Sequence, residues 1–197
     1  MHSLDPTLAY YDAEAESFFA TTVHVDMSSL YEPFLRELVE GAAILDAGCG
    51  SGRDARIFNE RGYAVTAMEQ SPALAALAEA HCGLPVKIRR FQDIDWCGCF
   101  DGIWACASLL HVPLAELPEI MQRLARALRA GGILYVSFKY GRGERVHGGR
   151  RFTDLDEAGL AELLCRVSAL KLVESWLTAD RRPDRESERW LNALLRT

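Results

Sequence analysis

Residues 44–54 read Ile44-Leu45-Asp46-Ala47-Gly48-Cys49-Gly50-Ser51-Gly52-Arg53-Asp54, a short apolar run that breaks into three glycines within five residues. A run of that kind suits a strand buried on both faces. Glycine directly behind it permits positive φ and lets a ligand touch bare backbone. Arg53 to Glu60 then keeps helical spacing and stops near Gly62. A strand turning through glycines into a helix is the opening unit of an open parallel sheet, whose ligands sit beyond the carboxyl ends of the strands.

The same rhythm repeats along the chain. Residues 63–69 (YAVTAME) read as a second strand, and Ser71-Pro72 opens an alanine-rich helix to about His81. Residues 85–91 (PVKIRRF) are a third strand, and residues 100–108 (FDGIWACAS) a fourth. A helix from Leu114 to Leu128 follows, with Leu117, Ile120, Met121, Leu124 and Leu128 at helical spacing. Gly131-Gly132 turns the chain into a fifth strand over 133–140. Alternation of this kind predicts an α/β fold, a doubly wound three-layer sandwich around a mostly parallel sheet.

The flanks complete one expected domain over 1–197. Residues 1–40 read as an N-terminal helical cap, with a helical stretch from Tyr10 to Glu40 placing Leu30, Phe34, Leu35 and Leu38 on one side. Residues 41–140 form the core, and 141–153, rich in Gly and Arg without apolar periodicity, read as a mobile loop. Residues 154–197 supply a helix opened by the capping box Thr153-Asp154-Leu155-Asp156 and running to about Cys165. Two strands over 169–180 and 188–197 then pair across RRPDRES. The second of these also fits a helix, through Leu191, Leu194 and Leu195.

The glycine turn constrains its guest. A phosphate-binding P-loop ends in Gly-Lys-Ser/Thr, where this chain has Arg53-Asp54, and a dinucleotide fingerprint needs glycine at Arg53. Glu69 closes the second strand, where a carboxylate can accept hydrogen bonds from ribose hydroxyls, and Asp46 adds negative charge near the turn. Acids beside bare backbone suit a cationic nucleoside better than a nucleotide.

Together the stretches ILDAGCGSG, AVTAMEQSP, FDGIWACASLLHV and LRAGGILYVSFK resemble, in order, the motifs of class I S-adenosylmethionine-dependent methyltransferases over roughly residues 30–140. Within that superfamily GCGSGRD and the small size resemble the tellurite-resistance-like and thiopurine-like branch. The resemblance implies a seven-stranded, Rossmann-like sheet with an antiparallel last strand, S-adenosyl-L-methionine as cofactor and S-adenosyl-L-homocysteine as product. It implies that Gly48, Cys49 and Gly50 contact the methionine moiety, Glu69 and Gln70 the ribose, and Phe91-Gln92 the adenine. Ala105, at the end of the fourth strand, also lies in the implied cofactor site. Many relatives carry an acid at the adenine position, and here Asp93 stands next to it. Tyr10 or Tyr11, in a YYD stretch like the tyrosines that close over the cofactor carboxylate, joins Arg53 at the methionine end; Tyr11 is the candidate carried forward. An alternative pairs Arg53 with Asp54 or Glu60 at the surface.

Ser108 and His111 follow the fourth strand, between the cofactor and acceptor positions of related enzymes. His111 is a candidate general base, with packing under the following helix as its alternative. Ser108 is a candidate whose alternative is a turn residue bonding to backbone. Lys139, Arg142, Arg145, Arg150 and Arg151 against the single acid Glu144 suggest a cationic lid that attracts an anionic acceptor, set against a solvated insertion with scattered charge. Phe152, Trp104 and Trp176 are candidates for an apolar acceptor pocket or for the core.

Composition bounds the remaining choices. A net charge of −6 argues against a general nucleic-acid surface. Six irregularly spaced cysteines suggest neither a metal site nor a disulfide framework. No stretch reaches the roughly 18 apolar residues of a membrane span, and the opening residues lack the pattern of a secretory leader, so a cytoplasmic protein is expected. The expected partner is a small-molecule acceptor. The alternatives are a protein or RNA methyltransferase, or an inactive cofactor-binding regulator. The stretch ACAS stands where amino-group methyltransferases of bases or glutamine carry an NPPY-like tetrapeptide.

Overall fold

The computed structural model of the chain describes residues 5–182 and 185–197. Its strands are β1 (Ala43–Ala47), β2 (Ala64–Glu69), β3 (Val86–Ile88), β4 (Phe100–Ala105), β5 (Leu128–Lys139), β6 (Gly143–His147), β7 (Arg150–Asp154), β8 (Lys171–Ala179) and β9 (Arg189–Arg196). Seven of them form one sheet in the order β3-β2-β1-β4-β5-β9-β8, and β6 pairs with β7 separately. β9 runs antiparallel to both neighbours, so six strands share one direction and the chain's last strand opposes them from inside the sheet.

Strand alternation sends successive side chains to opposite faces. Leu45, Ile103, Leu134 and Val136 pack against α6 (Leu117–Ala127) and α7 (Glu157–Cys165). Ile44, Trp104, Ile133 and Tyr135 face the other way, against α3 (Ser28–Leu35) and Phe58 of α4 (Arg53–Glu60). There Trp104 stacks on Tyr135 with ring centroids 3.8 Å apart. Burial of side chains this size contributes about 1.5–3 kcal/mol each. Trp104 is thus a core residue, and Trp176 packs part-buried against the same cluster.

Several expectations need correction. The helical stretch expected from Tyr10 to Glu40 is three short helices, α1 (Pro6–Ala13), α2 (Ala15–Thr22) and α3. The α2–α3 break falls at β-branched Val23 and Val25, where Asp26 accepts from the Ser28 amide and so favours a turn. Leu30 and Phe34 are buried there, while Leu35 and Leu38 are only partly so. The segment read as a mobile loop is the β6–β7 hairpin, paired from Gly143↔Asp154 to His147↔Arg150. Its buried residues are the consecutive Phe152, Thr153 and Asp154, which show no apolar period.

Asp156, not Thr153, caps α7: its carboxylate accepts from the Gly159 amide, while the Thr153 hydroxyl donates inward to the Val112 carbonyl. Gly131-Gly132 does not end a turn but lies within β5, which starts at Leu128, and the β4–β5 register shifts between Phe100 and Gly102. The third strand stops at Ile88, and Phe91–Asp93 is a single 3-10 turn. β9 takes the strand reading over the helical one. The expected turn RRPDRES falls partly outside the described residues.

α4 and α5 (Pro72–Cys82) touch through a glycine. Gly52 caps α4 with φ +74°, and a Cβ placed there would lie 2.8 Å from the Ala78 carbonyl oxygen. Gly62 has φ +85° but open space around it. Gly62→Ala should cost about 1–2 kcal/mol from its dihedral alone. Gly52→Ala should cost about 1–3 kcal/mol more from overpacking. Calorimetric melting of both variants checks this, and equal losses would contradict the close approach.

Candidate functional site

The strand order reverses between β1 and β4, which opens a crevice at their carboxyl ends. The turn after β1 is locked to β2: the amides of Gly48 and Cys49 both donate to the Met68 carbonyl at 2.9 Å. A Cβ on Gly48 would lie 2.6 Å from that of Ser108. The Ser108 hydroxyl donates to the Ala47 carbonyl at 2.7 Å, so this serine holds the turn.

Glu69 joins the turns after β1 and β2. One carboxylate oxygen accepts from the amides of Gln70 (2.8 Å) and Ser71 (3.0 Å), and Oε2 accepts from Gly50 at 3.1 Å. Burial pushes this carboxyl above its ordinary range, while the three amides pull the other way. An ionised carboxylate offers about four acceptor positions. One position on Oε2 therefore remains for a ligand hydroxyl.

Asp46 and Arg53 stand in a different setting. Asp46 is buried below the turn, and burial with Asp54 beside it pushes its carboxyl well above the ordinary range. Arg53 forks onto Asp54 at 2.6 and 2.9 Å and also donates to the Thr22 carbonyl. Asp54 additionally accepts from Tyr31 (2.6 Å) and Trp104 (2.8 Å). Burial pushes Asp54 upward, but Arg53 and these donors more than offset it and hold the carboxyl low. The expected pairing of Arg53 with Asp54 is thus present in the interior, although Arg53 still reaches a cavity wall.

Two cavities meet at the turn. The smaller, about 110 Å³, is lined by Glu69, Gln70, Phe91, Gln92 and Ser108. The larger, about 640 Å³, is lined by Cys49, Arg53, Phe152 and a series of charged residues from the hairpin and the β8–β9 end. Tyr11, Phe18, Gly48, Gly50, Ala107 and His111 line both. Neither wall includes Asp46 or the fully buried Ala105. At the small end Gln92 donates to Glu116, while Asp93 is turned away in a two-point pair with Arg90.

The shared wall holds a hydrogen-bonded pair. His111 Nδ1 lies 2.7 Å from the Arg151 carbonyl oxygen, which can only accept, so Nδ1 carries the proton. Nε2 then accepts from the Tyr11 hydroxyl at 2.8 Å. Burial pushes the imidazole down to about 4 despite that carbonyl, with Arg150 acting in the same direction. Above the pair α1 meets the hairpin: the Arg151 amide donates to Thr7 Oγ1 at 3.1 Å. Asp12 of α1 bonds Ser71 on the far side.

Sequence reasoning missed Phe18, whose ring covers Gly50, and Ala107, held at φ +52° with its amide donating to Ser137. The doublet Phe18-Phe19 was a usable signal for the first. Nothing in the sequence marks the strain at Ala107. All six cysteines are unpaired, and among the described residues no three His, Cys, Asp or Glu side chains converge as a metal site. Among those residues no helix is long and apolar enough to cross a membrane.

Comparison with known proteins places this architecture. A family profile described as a methyltransferase domain matches residues 44–132. A ubiquinone biosynthesis O-methyltransferase of Xanthomonas oryzae pv. oryzae is 33% identical over 105 residues, covering 49% of this chain and 43% of that protein. The chain thus spans less than half the length of that relative. The crystal structure of Burkholderia thailandensis 1,6-didemethyltoxoflavin-N1-methyltransferase, with 1,6-didemethyltoxoflavin and S-adenosylhomocysteine bound, superimposes with a TM-score of 0.78 at 25% identity. That match covers 96% of this chain and 86% of that one. A methyltransferase from Methanosarcina mazei shares the fold, with a TM-score of 0.74 at 18% identity over 87% of this chain and 98% of its own. Residues 44–132 thus match a methyltransferase-domain family, and the chain shares the fold of S-adenosylmethionine-dependent methyltransferases.

The residues present fit that family's cofactor. The glycine cradle leaves no room for side chains at Gly48, and Glu69, with one acceptor position unclaimed, lines the smaller cavity. Glu69→Gln should weaken S-adenosylhomocysteine binding about 10- to 100-fold, the usual worth of a hydrogen bond to a charged group. Titration calorimetry measures this directly. Unchanged affinity would remove Glu69 from the ribose position.

Proposed function

We propose that the chain transfers a methyl group from S-adenosylmethionine to a small-molecule acceptor held in the larger cavity. The observation that carries this reading is the Tyr11–His111 pair standing in the wall common to both cavities. The activities for which its relatives are named, O-methylation and N1-methylation, support the reaction class. A walled chamber between α1 and the hairpin favours a small acceptor over a protein or RNA surface.

When bound, the cofactor supplies an already activated methyl group on a sulfonium. The chain's own contribution is then alignment, water exclusion and proton removal; well-oriented reactants reach effective molarities of about 10⁵ M or more. His111 Nε2 is neutral near pH 7 and takes the proton of an acceptor hydroxyl, either directly or through the Tyr11 hydroxyl it already accepts from. The Arg151 carbonyl fixes the tautomer needed for that role. Ser108 is assigned to holding the glycine turn rather than to chemistry, because its proton is committed to Ala47.

The acceptor's charge belongs to the same proposal. Asp154 neutralises Arg145, Asp180 neutralises Arg182, and Glu188 pairs with Lys139. A diffuse cationic lid is thereby largely cancelled. Any preference for an anion must come from cations left without an acid.

A screen for S-adenosylhomocysteine release across thiols, amines, phenols and metalloid oxyanions tests the reaction. Binding of the cofactor without turnover of any acceptor would turn the reading toward a regulatory binder. With a phenolic acceptor the rate should hold from pH 8 to about 5 and fall only toward about 4, the value to which burial lowers His111. His111→Gln should slow such an acceptor about 10²-fold or more. The same lowered value makes His111 a source of stability above about pH 6.5 that is lost as pH falls through about 4. Melting curves at pH 7 and in acid should show that loss in the wild type and less of it in His111→Gln.

A further inference from the structure

Arg150 is set apart from the other cations of the larger cavity. Among the described residues it has no acidic partner, and its Nε is buried without a hydrogen-bond acceptor. Its guanidinium carbon lies 4.3 Å from the ring centroid of Tyr10, 5.3 Å from Phe152 and 5.8 Å from Tyr11. Rings hold the cation in place without cancelling its charge. Arginine cannot shed that charge by deprotonation. Arg181 and Arg189 also lack an acid among the described residues, but both are solvent-exposed, Arg181 donating to Ser29 and Arg189 lying over Tyr140.

The position matters as much as the charge. Tyr11 and Phe152, two of the rings around Arg150, are also ring neighbours of His111, at 5.4 and 5.0 Å. An anion paired with Arg150 therefore sits beside the proposed base. The flanking rings favour a flat partner, and the fork geometry of a guanidinium favours two oxygens.

We infer that Arg150 is the residue that selects the acceptor, and that the acceptor class is a small planar compound with a carboxylate next to its reacting hydroxyl. This rests on the methyltransferase reading above. The hairpin then acts as a recognition arm: β7 delivers Arg150 to the anion and, through the next residue's carbonyl, orients His111.

The test uses 2-hydroxybenzoate and its neutral analogue 2-hydroxybenzamide as probes, titrated into the protein saturated with S-adenosylhomocysteine. The benzoate should bind about tenfold tighter or more than the amide, as a charge-assisted contact is worth. Arg150→Gln should erase that preference while leaving S-adenosylhomocysteine affinity unchanged, which also reports that the variant folds. Arg150→Lys, which keeps charge but loses the fork, should retain only part of it. The preference should survive about 0.5 M salt, since partly buried pairs are poorly screened. Equal binding of the two probes, binding of neither, a preference that persists in Arg150→Gln, or one that vanishes with salt overturns the inference. Failure of the wild type to bind S-adenosylhomocysteine sinks instead the reading beneath it.

Discussion

The carboxylate of Glu69 holds the site together. It gathers amides from Gly50 on one turn and from Gln70 and Ser71 on the next, so two connections that never meet in sequence share one acceptor. Backbone amides at such bends need partners, and a buried amide left alone costs about 1–3 kcal/mol. Satisfying three with one ion fixes the glycine turn in its open-backed shape. The three amides leave one acceptor position of Glu69 unclaimed, at the wall of the smaller cavity.

Around this knot the sheet works as a rigid table. The interior pair of Arg53 and Asp54, with Tyr31 and Trp104 donating to the same carboxylate, ties α3, α4 and β4 together beneath the turn. Such a paired ion is poor evidence of net stability but strong evidence of fixed geometry, since removing one partner strands the other. Asp46, close by, has its carboxyl pushed well above the ordinary range by burial and by the neighbouring Asp54.

The core was legible because its signals are local. Glycines after an apolar run, Ser71-Pro72 at a helix start and the apolar spacing of Leu117 to Leu124 each encode their own conformation, and α4 and α5 fell close to where they were read. The roof was not legible. α1 and the hairpin derive their structure from each other and from His111: Tyr11 reaches across 100 residues and Arg151 across 144. The hairpin, a short amphiphilic piece without a period of its own, looks like loop until its partner is known. The charge pattern of residues 139–152 misled for a related reason, because the acids that pair with Arg145 and Arg142 stand just past that stretch, at Asp154 and Asp156.

That long reach sets a timetable. If the roof contact between Thr7 and Arg151 is required to seat α1, the first helix leaves the ribosome and waits for 144 further residues before its partner exists. At a synthesis rate of 5–20 residues per second the delay is roughly 7–30 seconds. The sheet's first strands form their pairings during that interval with the crevice uncovered. A cofactor molecule thus has the opportunity to enter before the roof is assembled.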